Sequence, residues 1–424
     1  AKFANSLKLR LAVRYMASDM AKAKSIVSEV KSASCGYIDS LDDAIIFNKG
    51  TNFSNGGTGN DWSYHWSNGF LDGTAATENV INLMVDNLDP RVRFCYSKNS
   101  WNSKIVQAYY DRGKEIPAFI EEDVEFEVVD GKKVFKAWKG AGEPWVRYKG
   151  FPMEYNSMTK SEYDWYYRPG NFKIAKADGT GEKSYQTFSQ FQQMFVIGRA
   201  YSPSVPTTPE DVVSIAYKDR PWYGMYIGGA EVNLYLAEFA MIEGNEAAAE
   251  TYYNKALALS VQEYDKLAGL NQIEYYGTTY GYDPNEKVID LVDGEIDAMM
   301  ASEAYKFTGT RDEKMEKIYV QQLLNFTLYP NEQFITARRS GYPKIGSSLL
   351  PRVEYADIPV TTVPRRFDTG LPVETDLMYQ IYLDAYAAQG FTPTSNGAGH
   401  SATLHNERVW SDKNAPEWGA GHNW

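Results

Sequence analysis

Cysteine and histidine are scarce in this chain of 424 residues, with Cys35 and Cys95 the two cysteines and His65, His400, His405 and His422 the four histidines. One cysteine pair cannot define a disulfide framework, and its spacing fits no metal site. The spacing alone leaves open whether the two form a bridge or stay as free thiols. The histidines form no His-x-x-x-His or Glu-x-x-His pair, so helical metal ligation has no basis in the sequence. Long apolar runs are missing as well, since no stretch approaches the roughly 20 residues needed to span a bilayer. No secretory signal is visible. The chain opens AKFANSLKLRLAVRYMASDM, without Met and with the pattern of an amphipathic helix already under way. The expectation is a fragment or processed form whose targeting signal lies upstream. Positive charge is in deficit: 43 Lys and Arg against 55 Asp and Glu give a net charge of −12. That argues against nucleic acid and against a broad electrostatic hold on anionic lipid, since both need a concentrated positive surface.

Catalytic patterns are absent too. There is no Gly-x-Ser-x-Gly elbow and no phosphate-cradling glycine loop. The string GGTGN at 56–60 follows no strand pattern and opens no helix. Glycoside hydrolysis needs two carboxylates facing each other across a bond. The run Glu121-Glu122-Asp123 offers acids, but neighbouring side chains diverge, and the run reads as a solvated edge. Neither an enzyme nor a cofactor is expected.

What the chain has in excess is aromatic surface. It holds 32 Tyr, 10 Trp and 19 Phe, 14% of all residues, within an ordinary 43% hydrophobic and 23% charged composition. Tyr outnumbers Phe, so much of this ring surface carries a polar handle suited to half-wet positions.

Along the chain, residues 3–33 read as a helical hairpin with an apolar face of Phe3, Leu7, Leu11, Val13 and Tyr15 and Asp19 as the second N-cap. Residues 48–74, rich in Gly, Asn, Ser and Thr, read as a long loop. A helix follows, stopped by Asp89-Pro90. The segment DVEFEVVDGKKVFKAW predicts a β-hairpin turning at Asp130-Gly131, a dipeptide that tolerates positive φ. Residues 226–264 predict two helices joined at Gly244-Asn245, with Ala249, Tyr253 and Ala256 at the small–aromatic–small spacing of a tetratricopeptide unit. A further helix lies near EKMEKIYVQQLLNFTL, and another runs from about Met378 to Gln389. The fold class expected is mainly α: tetratricopeptide-like helical hairpins with long aromatic-rich loops and a small β-hairpin. With no linker composition in sight, 1–424 reads as one α-rich domain. Excursions fall at about 45–75 and 95–220, and a loop-rich tail at about 328–424.

Four segments, KFANSLKLRLAVR, LDPRVRF, AEVNLYLAEFAMIEGNEAAAETYYNKAL, and EKIYVQQLLNFTLYPNEQFITARRSGYPKI followed by VPRRF, occur in this order. The arrangement resembles the SusD/RagB family of outer-membrane nutrient-binding lipoproteins, in particular its divergent branch. Phe334 stands where the family usually has Trp, Ser340 where Thr is common, and Met378 where Asn is usual. The resemblance implies a non-enzymatic capture protein on the extracellular face of an outer membrane, held by a lipid anchor not contained in this chain. It implies that roughly the first third of a full-length member, with signal and anchor, is absent. The partner it implies is a SusC-like TonB-dependent transporter, and the ligand an oligosaccharide, or in some members a peptide. A helical scaffold binding only protein partners is the reading from a different class.

The ligand must be argued from residues. In GNDWSYHWSNGF, residues 59–70, an extended segment would put Trp62, Tyr64 and Trp66 on one side. Pyranose rings present apolar C–H faces to aromatic rings and hydroxyls to polar edges, here Asn60, Asp61, Ser63 and Asn68. The expected ligand-binding set is Trp62, Tyr64, His65, Trp66 and Asn68, with Trp101, Trp165 and Tyr166 as further members. The alternative is that the same rings pin a long loop to the helical body. Arg338, Arg339, Arg365 and Arg366 match carboxylates bidentately, but a structural role in holding the irregular tail is favoured.

Overall fold

A computed structural model describes residues 1–48, 74–152, 161–176, 178–196, 204–206, 212–214, 222–351, 364–367, 369–393 and 402–424. The architecture is mainly helical, with short two-stranded sheets.

Helices α1 (Lys2–Tyr15) and α2 (Met20–Ser32) form the first hairpin. Asp19 caps α2 by accepting from the Lys22 amide at 2.9 Å, which satisfies one of the otherwise orphaned first-turn donors. The buried face of α1 consists of Ser6, Leu9, Ala12 and Val13. This corrects the apolar face read from the sequence, because Phe3 and Leu11 point to solvent. Small residues at 6 and 12 allow close approach to the central helices, and bulk at 3 and 11 has no such place.

The centre is the second hairpin, α5 (Gly229–Ile242) and α6 (Glu246–Asn271), which bracket Gly244-Asn245 as expected. Residues 229–241 of α5 are all buried, the signature of a helix packed on every side. On α6, Ala249, Tyr253 and Ala256 are buried together. The alanines bring the pair close, while the Tyr253 hydroxyl finds the Tyr305 carbonyl at 2.9 Å. Helix α3 (Glu78–Asp86), the turn Arg91–Cys95, α7 (Arg311–Asn325) and the Glu295–Met300 turn complete the main core around this hairpin. A capping box of Thr310 and Glu313 starts α7. A second core joins α1 and α2 to α5.

Strand β1 (Ile45–Asn48) pairs antiparallel with β4 (Tyr223–Ile227) and leads the chain into α5. The predicted β-hairpin is present as β2 (Val124–Val129) and β3 (Lys132–Trp138). Its turn residues Asp130 and Gly131 have φ of 51° and 78°, the primed turn that matches strand twist. It packs on α4 (Ser103–Asp111) in a third, separate core.

The segment from 330 on, read as loop, opens with a helix, α8 (Pro330–Ser340), with Pro at its first turn and Gly341 at φ 73° ending it. Helix α9 (Tyr379–Gln389) lies where expected. Cys35 is exposed and Cys95 buried, and both are free.

Candidate functional site

The predicted platform residues Trp62, Tyr64, His65, Trp66 and Asn68 lie outside the described residues. Of the other three predicted members, Trp101 falls in the third core, Trp165 packs against it, and Tyr166 is buried beside Phe119 at its margin. Trp101, at the start of α4, is 1% exposed and packs against Tyr109 with ring centroids 4.7 Å apart. Trp165 meets it edge-on at 5.8 Å and stacks on Phe172 at 3.7 Å. Tyr166 is buried and stacked on Phe119 at 4.4 Å. Trp101 and Trp165 are thus brought together, with Tyr166 alongside, but aromatic neighbours occupy the ring surfaces that the sequence reading gave to a ligand. Offset and edge-on contacts of this kind give aromatic clusters a stability beyond their buried area. Trp101 therefore serves as the interior of this module, with Tyr166 buried at its margin. Trp165 is half-buried, with one face already taken.

The four arginines of the tail motifs turn inward. Arg339 donates to Oε2 of Glu238 at 2.9 Å and to Gln322 at 2.7 Å. Arg365 holds both carboxylate oxygens of Asp412 at 2.7 Å, Arg366 bonds Glu407 at 2.8 Å, and Arg338 donates to the Arg365 carbonyl at 3.1 Å. Bidentate guanidinium pairs fix geometry as well as charge, and here they tie α8 and the tail to α5 and to one another.

Two features were missed in the sequence. A groove of about 600 Å³ runs along α3, lined by Glu78, Asn79, Asn82, Asp86, Asn87 and Ser348. The helical spacing of this polar run could have suggested it. Asn79 is engaged with the Pro351 carbonyl at 2.6 Å, and partial burial raises the Glu78 carboxyl above its usual range. Amide and carboxylate edges of this kind pair with hydroxyl groups.

The second is a cavity of about 350 Å³ where β4 enters α5. Phe47, Met225, Tyr226, Leu267, Phe326 and Tyr329 give it apolar walls. Arg10, Glu231, Glu263 and Glu332 supply the charges. Arg10 is closed off, since it holds both oxygens of Glu231 at 2.6 and 2.7 Å and the Tyr226 carbonyl at 2.7 Å. Glu332 takes a hydrogen bond from Arg14 at 2.5 Å. Glu263 reaches across from α6 and accepts from the Gly229 and Ala230 amides at the start of α5, the latter at 3.2 Å. A Cβ on Gly228 would stand 2.4 Å from either oxygen of Glu263, so glycine there is what admits the carboxylate. Burial pushes this carboxyl up to about 8, partly offset by the two amides. Among the described residues, no group of three or more His, Cys, Asp or Glu is placed to hold a metal ion.

A family model described as Susd and RagB outer membrane lipoprotein, SusD-like, matches residues 1–116. That segment is similar to SusD-like proteins. The fold of the chain is similar to that of several solved structures. It superposes on a chitin-binding protein with a TM-score of 0.52 at 17% identity, over 97% of this chain and 64% of that one. A SusD-like protein labelled Bacteroidetes AC2a gives 0.51 at 16% identity over 97% and 69%. A SusD homologue from Bacteroides fragilis NCTC 9343 gives 0.52 at 17% over 98% and 66%. At these identities the likeness is one of fold. The chain spans about two thirds of the length of those structures, between 64% and 69%. No curated protein matches the sequence.

Proposed function

We propose that this protein captures oligosaccharides at the outer face of an outer membrane and passes them to a SusC-like TonB-dependent transporter. The observation that carries this reading is the SusD-like fold over 97% of the chain, joined to a family match at residues 1–116. The role is binding, not catalysis, with attachment to the membrane by a lipid anchor. The aromatic residues assigned to the ligand are Trp62, Tyr64 and Trp66, flanked by His65 and Asn68. Trp101, Trp165 and Tyr166 are engaged with other rings and are not assigned to the ligand. The groove along α3, with Asn82 and Asp86 on its wall, offers hydroxyl partners for a longer chain.

The test is isothermal titration of the wild-type chain against plant, host and microbial oligosaccharides and against a peptide digest. Saturable binding of one glycan class supports the proposal, and binding confined to peptides replaces it with a peptide-capture role.

A second reading, a helical module that grips only protein partners, is favoured by one specific surface. Phe367, Val373, Leu377 and Ile381 lie exposed on and before α9, beside a groove of about 490 Å³ lined by Tyr382, Tyr386 and Phe391. Exposed apolar surface of this kind marks contact with another macromolecule. A chain that binds no glycan and no peptide, yet co-purifies with the transporter, fits that reading.

A further inference from the structure

We infer that the cavity between β4 and the start of α5 is a binding site for a small organic ammonium ligand, one protonated amine on an apolar or aromatic body. Its dimensions and lining argue for a ligand site in the first place. At about 350 Å³ with mostly apolar walls and a few convergent polar groups, it has the make-up of a small-molecule pocket. The charges then choose the ligand. Arg10 is spent on Glu231 and on the Tyr226 carbonyl, and Glu332 is matched by Arg14. Among the described residues lining the cavity, Glu263 alone lacks a matching cation. It is 3% exposed and held only by neutral amide donors, with Lys266 on its own helix acting from a distance. An entering ammonium would complete an ion pair in a dry site, where such a pair is stronger than in water. Phe47, Phe326, Tyr329 and Leu267 are left to enclose the apolar body, and ring faces near a cation add attraction. An anionic ligand would meet Glu231, Glu263 and Glu332 with no free cation to receive it.

The groups facing Glu263 are Glu231 on α5, Arg10 on α1, Tyr329 and Glu332 at the start of α8, and Tyr264 and Lys266 on α6. Of these, Glu231 pushes its carboxyl up and Lys266 pulls it down, with burial the larger influence. The empty site therefore holds a neutral carboxyl at pH 7, and an ammonium that binds drives its ionisation. One proton leaves Glu263 for solvent as one cation enters.

Isothermal titration with benzylammonium, and with benzyl alcohol as the neutral control, tests this directly. Expected are a dissociation constant on the order of 1 mM for the amine, as suits a ligand of this size, and binding at least tenfold weaker for the alcohol. In two buffers of different ionisation enthalpy, about one proton should be released per amine bound at pH 7. Amine affinity should rise about ninefold from pH 6 to pH 7 and about fivefold more from pH 7 to pH 8, while that of the alcohol stays flat. Glu263→Gln should abolish both the preference and the proton release. The wild-type pH profile carries the test even where that variant does not fold. Equal affinity for amine and alcohol, no amine binding at all, or a preference that survives in Glu263→Gln would overturn the proposal. None of the lining residues belongs to the set proposed for sugar, so either idea can fail alone.

Discussion

At the scale of single residues, the strongest consequences come from charges taken out of water. Arg339 and Glu238 are both buried and bonded to each other, with Gln322 and Tyr319 completing the shell. Removing one member of a buried pair strands the other, at about 3–5 kcal/mol. Arg339→Ala is therefore expected to lower the unfolding free energy by that amount, measured by urea titration, and a loss below about 1 kcal/mol would deny the pair its structural role. Glu263 makes a prediction of opposite sense. Folding raises its pKa from 4.5 to about 8. Its stabilising contribution is thus fully present below about 4.5 and is lost as pH rises through about 8. The slope in that window is at most about 1.4 kcal/mol per pH unit. Glu263→Gln should flatten the fall of Tm between pH 5 and 8 and leave the variant more stable than wild type at pH 8, and parallel curves would refute this. The arginine role was legible because the paired Arg motifs sit in an irregular tail that needs fixing. The state of Glu263 was not, because it depends on Gly228 passing close to a helix distant in sequence.

At the scale of elements, periodic spacing was a sound guide and irregular segments were not. The hairpin of α5 and α6 could be read from Ala249, Tyr253 and Ala256, whose sizes only make sense against a partner helix. Asp130-Gly131 announced the β-turn, since few other dipeptides accept two positive φ angles. Helix α8 was missed because Pro330 and the Gly341-Tyr342-Pro343 run read as breakers, whereas they mark its two ends. On α1 the choice of apolar face misled, as Leu9 packs inward and Leu11 does not. The exposed strip before and along α9 carries its own test. Leu377, 96% exposed, makes almost no internal contact, so Leu377→Asp should change stability by less than about 0.5 kcal/mol. Should α9 contact a partner protein, the same substitution will weaken co-purification with the transporter at unchanged Tm. Unchanged co-purification would clear this face of any such role.

At the scale of the whole molecule, a net charge of −12 and a mainly helical body with aromatic excursions fit capture of neutral sugars better than of polyanions. The fold class, and the resemblance of the chain to SusD-like proteins, were accessible from motif order. The ligand surface was accessible only as a proposal, because the aromatic residues that composition brings to attention serve two ends. Trp101 and Trp165 show one of them, packing rings into a small core that a short chain of turns and hairpins could not otherwise close. Residues 59–70 are proposed for the other. The decisive measurement is a tryptophan fluorescence titration of wild type, Trp62→Ala and Trp66→Ala with the glycan that the wild-type chain binds best. The account predicts saturable quenching in wild type, and affinity at least about fivefold weaker in each variant from the loss of roughly 1 kcal/mol of stacking, with helical circular dichroism unchanged. Wild-type affinity in both variants would contradict it.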